Sequence, residues 1–232
     1  EPGPADPSAG PSPYPPRDTA APASPGALHP SKGSQHMAGN NSSEIRIAGT
    51  GRILVAPAGT PAPTEFSADP AADWDSKVWR DLGYTSTDGV TFSKKDKLDP
   101  VETWQAVSPA RFVYSDRDLT LKFAMLQFNE DTLPFFMGGD IVSPVTENPG
   151  VFTYDVPDGP QFDERALGLE FHDGADVTYR FVIPRGQVTA SDDIKLVRKS
   201  AATLGVTFTA LSSGETQPLA TFVMKDPSFA TA

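Results

Sequence analysis

Leu119-Thr120-Leu121-Lys122-Phe123-Ala124-Met125, running on to Asn129-Glu130-Asp131-Thr132-Leu133-Pro134-Phe135-Phe136-Met137-Gly138-Gly139, is the stretch whose reading decides the fold. Successive side chains of a strand point to opposite faces, so Leu119, Leu121, Phe123 and Met125 share one face and Thr120, Lys122 and Ala124 the other. The first face is core; the second, extended by Asp118, is a working surface. Asn129 is placed to cap a short helix, Glu130 and Asp131 suit the positive end of its dipole, and Gly138-Gly139 stops it. A strand that turns a corner into a short helix is expected.

Outward from this corner, strand patterns occur at residues 45–48, 53–56, 110–114, 119–128, 151–156, 167–171, 177–183, 203–210 and 219–224. Val177-Thr178-Tyr179-Arg180-Phe181 and Val206-Thr207-Phe208-Thr209 alternate cleanly. Gly49 to Gly51, Asp173-Gly174 and Ser213-Gly214 read as hairpin turns between them. The expected fold is mostly β, an antiparallel sandwich or barrel with one short flanking helix. The stretch 57–109 departs from this scheme: it is long, rich in Ala, Pro, Asp and Lys, and holds Trp74, Trp79 and Trp104. Within it, Tyr84 to Phe92 reads as a hairpin turning at Asp88-Gly89. A connection of this length inside a compact domain is functional or disordered, and three indoles argue for order. We read an ordered projecting arm whose aromatics bury either against the parent domain or against a neighbour.

Residues 1–36 carry ten of the 24 prolines and no branched apolar residue but Leu28, too little apolar surface to offset the entropy of ordering. They are expected to be a disordered tail, either an extension or remnant ahead of a folded product starting at Met37, or a mobile surface arm. Residues 37–232 suffice for one well-buried domain. No apolar run approaches a membrane span and no signal-peptide core is present, so a soluble chain that does not contact the membrane is expected. The net charge of −11 argues against holding DNA by phosphate neutralisation. It suits a wall that DNA slides past as well as it suits plain solubility.

Chemistry-bearing constellations are sparse. With no cysteine and with His29 and His36 in the tail, His172 stands alone, which disfavours a zinc site or a histidine-based triad. There is no nucleophile elbow and no phosphate-binding loop, and Gly49-Thr50-Gly51 is too short for a dinucleotide fingerprint. The acidic groups Asp155, Asp158, Asp163, Glu164, then Asp173 and Asp176, then Asp192 and Asp193, could hold calcium or supply a carboxylate pair. Beside Gly and Pro they read more simply as turn residues. Lys94-Lys95-Asp96-Lys97 is a solvated charge run or a contact for an acidic neighbour. No catalytic residue, metal or cofactor is assigned.

Several segments together resemble a known family: Ile45-Arg46-Ile47-Ala48-Gly49-Thr50-Gly51 with Val55-Ala56-Pro57, Leu82 to Ser93, Trp104-Gln105, and Arg117 to Gly139. They are similar to the major tail proteins, or tail tube proteins, of long-tailed bacteriophages, particularly those infecting actinobacteria. The likeness runs from Met37 to the C-terminus. It implies a β-sandwich or barrel, six copies in a ring, and rings stacked into a hollow virion tube through which phage DNA is ejected. Implied partners are further copies of the chain and the tape measure, tail terminator and distal tail proteins, with assembly in the host cytoplasm. On this resemblance the arm residues Trp74, Trp79, Tyr84, Phe92 and Trp104 would contact a neighbouring subunit or ring. Strand 119–128, paired with 110–114, would line the lumen through Asp118, Thr120 and Lys122, subject to the phase of the pleat. The alternatives are a virion decoration or carbohydrate-binding module that stacks ligand on its tryptophans, and a metal-assisted hydrolase built on the carboxylates of 155–176.

Overall fold

The computed structural model describes residues 40–139, 141–159, 161, 163–214 and 216–231. The chain divides into two units, Glu1–Asn41 and Ser42–Ala232, and the fold is that of the second. The expectations for the tail and for Met37 lie outside the described residues.

The chain runs through β1 (Thr50–Pro57), β2 (Arg80–Asp81), β3 (Thr91–Thr103), β4 (Ala106–Met125), α1 (Thr132–Met137), β5 (Ser143–Pro144), β6 (Phe152–Thr153), β7 (Arg165–Asp173), β8 (Val177–Ser191), β9 (Leu204–Ala210) and β10 (Thr221–Lys225). Eight strands make one antiparallel sheet in the order β2-β1-β7-β8-β9-β4-β3, with β10 added on β8, and β5 and β6 pair separately. Leu119, Leu121, Phe123 and Met125 are all buried, in the phase the alternation predicts. They share one apolar cluster with Ile53 and Val55 of β1, Phe181 and Ile183 of β8, Val206 and Phe208 of β9, and Phe135 and Phe136 of α1. Strands far apart in the sheet therefore enclose one core, in the manner of a β-sandwich. At the corner, Asn129 Oδ1 accepts from the amides of Asp131 (3.0 Å) and Thr132 (2.8 Å). Gly138, at φ 71°, closes α1 by donating its amide to the Pro134 carbonyl. Among the described residues, no helix is long and apolar enough to cross a membrane.

Five local expectations are corrected. Residues 45–48 belong to none of the named strands: Arg46 turns inward to the Tyr179 hydroxyl and the Asp226 carboxylate, while Ile45 and Ile47 stay exposed. Gly49 to Gly51 is accordingly not a turn between strands; it leads into β1. Segments 110–114 and 119–128 do not pair, because both belong to the 20-residue β4. A bulge at Ser115 absorbs the polar break that suggested two strands: Lys97 faces Asp116 and Leu98 faces Tyr114. Ser213-Gly214 does not fold β9 onto β10; β9 and β10 pair with successive parts of β8, at 186–191 and 178–182. Finally, Asp88-Gly89 does turn, with Gly89 donating to the Ser86 carbonyl, but its flanks pair with β4 and not with each other.

The second face of the sheet is also covered, in part, by chain from the 57–79 segment. Trp74 and Trp79 pack edge to face, 4.8 Å between ring centres, against Leu54, Ala56, Ala166 and Val182. Gly168 makes this possible, since a Cβ there would lie 2.5 Å from Trp74 Cζ3 and 3.1 Å from Trp79 Cζ3. Gly168→Ala is therefore expected to cost about 1–3 kcal/mol through overpacking. Chemical denaturation measures the loss, and the indole emission of the folded variant should shift to the red.

Candidate functional site: a hairpin arm and a polar sheet face

Strands β3 and β4 pair from Thr91↔Lys122 out to Thr103↔Ala106, which makes the longest element of the molecule. Its root is part of the sheet, where β4 also pairs with β9 through residues 120–125. Beyond the Ser115 bulge, residues 98–113 continue as a two-stranded ribbon, with no third strand among the described residues. Leu98 faces Tyr114 and Pro100 faces Phe112, so these four side chains share one side of the ribbon. Leu98, Val101, Val107, Phe112, Val113 and Tyr114 are all exposed, and Trp104 at the tip is 99 % exposed. A ribbon carrying this much uncovered apolar surface is an interaction element. At its root Asp96 joins the two strands, accepting from Arg117 Nε at 2.7 Å and pairing with Lys94 Nζ at 2.7 Å. Arg117 beside it, then Lys94, hold the Asp96 carboxyl below the ordinary range.

The side of this sheet away from the core is polar. Asp118, Thr120 and Lys122 lie together on it, as expected, because partners across a ladder share a face: Thr91 and Thr207 flank Lys122, and Ser93 and Thr209 flank Thr120. Lys95 stands opposite Asp118. The extra residue of a bulge in β8, Thr189, meets Thr209 hydroxyl to hydroxyl at 2.7 Å. Lys122 Nζ reaches Asp192 Oδ1 at 3.2 Å. Gly205 leaves room for that carboxylate, since a Cβ there would stand 2.5 Å from Asp192 Oδ2. The result is a hydroxyl-rich surface on which the cation Lys122 carries its own counterion.

The residues expected on the arm are not brought together. Trp74 and Trp79 are 2 % and 5 % exposed in the body of the domain, so neither projects. Tyr84 is exposed beside the end of β4, its amide donating to Gln127 Oε1 at 2.8 Å. Phe92 sits at the arm's root and Trp104 at its tip. The arm is thus residues 98–113, and the body takes the rest of the stretch first read as arm. Two buried indoles leave Trp104 as the exposed tryptophan, standing at the end of a two-stranded ribbon.

A buried ionic cluster was not anticipated. Arg180, fully buried in β8, donates through Nε to Glu170 Oε2 (2.6 Å), through Nη2 to Asp73 Oδ2 (2.6 Å) and through Nη1 to the Glu65 carbonyl, with Phe66 stacked at 4.3 Å. Trp74 Nε1 (2.8 Å) and Arg52 Nε (2.9 Å) also donate to Glu170, and His172 Nε2 stands 3.4 Å from its Oε1. Burial pushes the Glu170 carboxyl up, but donors Trp74 and Arg180 and the charge of Arg52 outweigh it, leaving it below its ordinary value. Asp73 is held low in the same way by Ser67 and Arg180 against its burial. The only hint in the sequence was an arginine within an alternating strand. The cluster fastens the 57–79 segment to the sheet and is structural.

The other acidic groups are dispersed. Glu164 pairs with Arg185 (2.7 Å), Asp163 with Arg165 (2.7 Å), and Asp173 accepts from the Ile47 amide (3.2 Å). His172 Nδ1 bonds Thr178 Oγ1 at 3.0 Å. Among the described residues, no three His, Cys, Asp or Glu side chains are grouped to hold a metal ion.

Compared with known proteins, the chain is matched over residues 37–232 by a family model described as phage tail tube protein. No curated protein matches it.

Proposed function

The chain belongs to the phage tail tube protein family, a structural component of the phage tail, and we propose that it builds the tube by self-assembly into six-membered rings that stack. In this reading DNA leaves the virion through the tube's bore, the phage is long-tailed with an actinobacterial host, and the role is mechanical, without catalysis. Assembly takes place in the host cytoplasm, with tape measure, tail terminator and distal tail proteins as partners. The host and these partners rest on the sequence resemblance alone.

The observation that carries the proposal is the arm: a ribbon of exposed apolar side chains, ending in Trp104, that no other described residue covers. Among the described residues, β3 also leaves one edge of the sheet without a neighbour. Heterologous contacts between copies close into rings, and they bury such edges and apolar surface together. The polar face of Asp118, Thr120 and Lys122 suits the bore. It offers a phosphate backbone hydroxyls and a paired lysine instead of a bank of free cations, and free cations would bind and retain DNA.

Negative-stain microscopy of the purified full chain at high concentration is expected to show sixfold rings and tubes. A protein that stays monomeric under every nucleating condition overturns the reading.

A further inference from the structure

At the root of the arm, the core-side surface opens into a hollow of about 300 Å³. Phe92, Phe181 and Phe222 form its aromatic wall, with ring centres 4.4 to 6.2 Å apart, and Leu119, Leu219 and Ala220 complete the apolar lining. Phe92 and Phe222 are both exposed, so the wall is open to solvent. Lys94 and Arg117 stand on its rim and share one carboxylate, Asp96, which leaves the rim with an excess positive charge.

We propose that this hollow receives the arm tip of another copy of the same chain, with Trp104 seated among the three phenylalanines and Glu102 facing Lys94 and Arg117. Three features point to this occupant. Trp104 needs an apolar cover, and a hollow of this size accepts a single large aromatic side chain. Glu102 is the only charged residue in 102–110, so the tip brings one negative charge to a rim with one positive charge in excess. The tip cannot fill its own hollow: eleven residues of extended chain separate Phe92 from Thr103, roughly 36 Å at strand rise. Tip and hollow are different patches of one chain, so a tip passed on to the next copy, and not exchanged within a pair, makes a heterologous contact that repeats from copy to copy. This rests on the self-assembly reading and adds its receptor.

The chain has no cysteine, so a cross-link reports only introduced thiols. The double variant Gln105→Cys, Ala220→Cys keeps Trp104, Glu102 and the aromatic wall intact. Treated with a short flexible bis-maleimide after assembly, it is expected to run on a denaturing gel as a ladder of many copies. Either single variant can give at most a dimer. In the same polymers the emission of Trp104, isolated by comparison with Trp104→Phe, is expected to shift to the blue. Trp104→Ala in the double-cysteine background should lower the ladder yield at least about tenfold, as loss of a central aromatic anchor does. Gln105 is exposed and Ala220 is half-buried in the lining of the hollow, and an unchanged melting temperature confirms folding. Polymers that form normally yet give no ladder, or leave Trp104 emission unshifted, overturn the docking and spare the tube. Failure of the unaltered chain to polymerise overturns both.

Discussion

Arg180→Ala lowers the stability of the folded domain by about 3–5 kcal/mol, the loss expected when a buried charge is stripped of its partner. Arg180 alone spans Glu170, Asp73 and the Glu65 carbonyl. Without it Asp73 loses its cation, Glu170 is left with Arg52 as its remaining arginine, and the 57–79 segment loses its main tie to the sheet. Trp74 donates to the same Glu170, so its emission should move to the red as the variant unfolds at lower denaturant. Adding Glu170→Gln and Asp73→Asn to the variant removes the stranded charges and should recover more than half of the loss. The pH dependence has a definite sign. Both carboxyls are held below their unfolded values of 4.5 and 3.8, so their contribution is present above those values. It is lost as pH falls through the lower, folded ones. The gap between variant and parent is therefore widest at neutral pH and narrows as both carboxyls take up protons. A gap below about 1 kcal/mol, the worth of an exposed pair, would show that solvent reaches the cluster.

Replacing residues 98–113 by an Asn-Gly turn abolishes tube formation while leaving the body folded. Among the described residues, the ribbon beyond the Ser115 bulge pairs with no third strand and contributes nothing to either apolar cluster, so its removal costs the body little. A type I′ turn is the connection a trimmed antiparallel pair accepts. The expected result is a melting temperature within a few degrees of the parent's and no polymer at concentrations about tenfold above the parent's threshold, a shift of about 1.4 kcal/mol or more. Tubes that persist would dismiss the arm as an assembly element. Excising 74–104 instead would be a poor test, because it removes Trp74, Trp79 and Leu82 from the core.

The corner at 119–139 was legible because everything in it is local. The pleat dictates which of Leu119 to Met125 point inward, and Asn129 and Gly138 act within a few residues of where they sit. The arm was misplaced for reasons equally physical. Lys94-Lys95-Asp96-Lys97 and Pro100 demote 91–103 as a strand by ordinary propensity. Yet β3 is an edge, where a proline's missing amide proton breaks no ladder and charged side chains stay in water. The strand at 110–114 read as a partner of 119–128 because the polar residues 115–118 divide the apolar pattern of what is one bulged strand. Alternation does not say what, if anything, covers a face. The tryptophans were placed by contacts across nearly a hundred residues, such as Trp74 with Glu170.

By itself the sequence determined the class of fold, the inward phase of β4, the capped helix after it and the polar set Asp118, Thr120 and Lys122, since each follows from a period or a cap read within one segment. Only the tertiary structure decided that Arg180 is buried, that two of three indoles belong to the body, and that Trp104 stands alone at the end of a ribbon. Those outcomes depend on which distant segment lies over each face of the sheet, and that choice is made by complementary shape and charge between residues the chain keeps far apart.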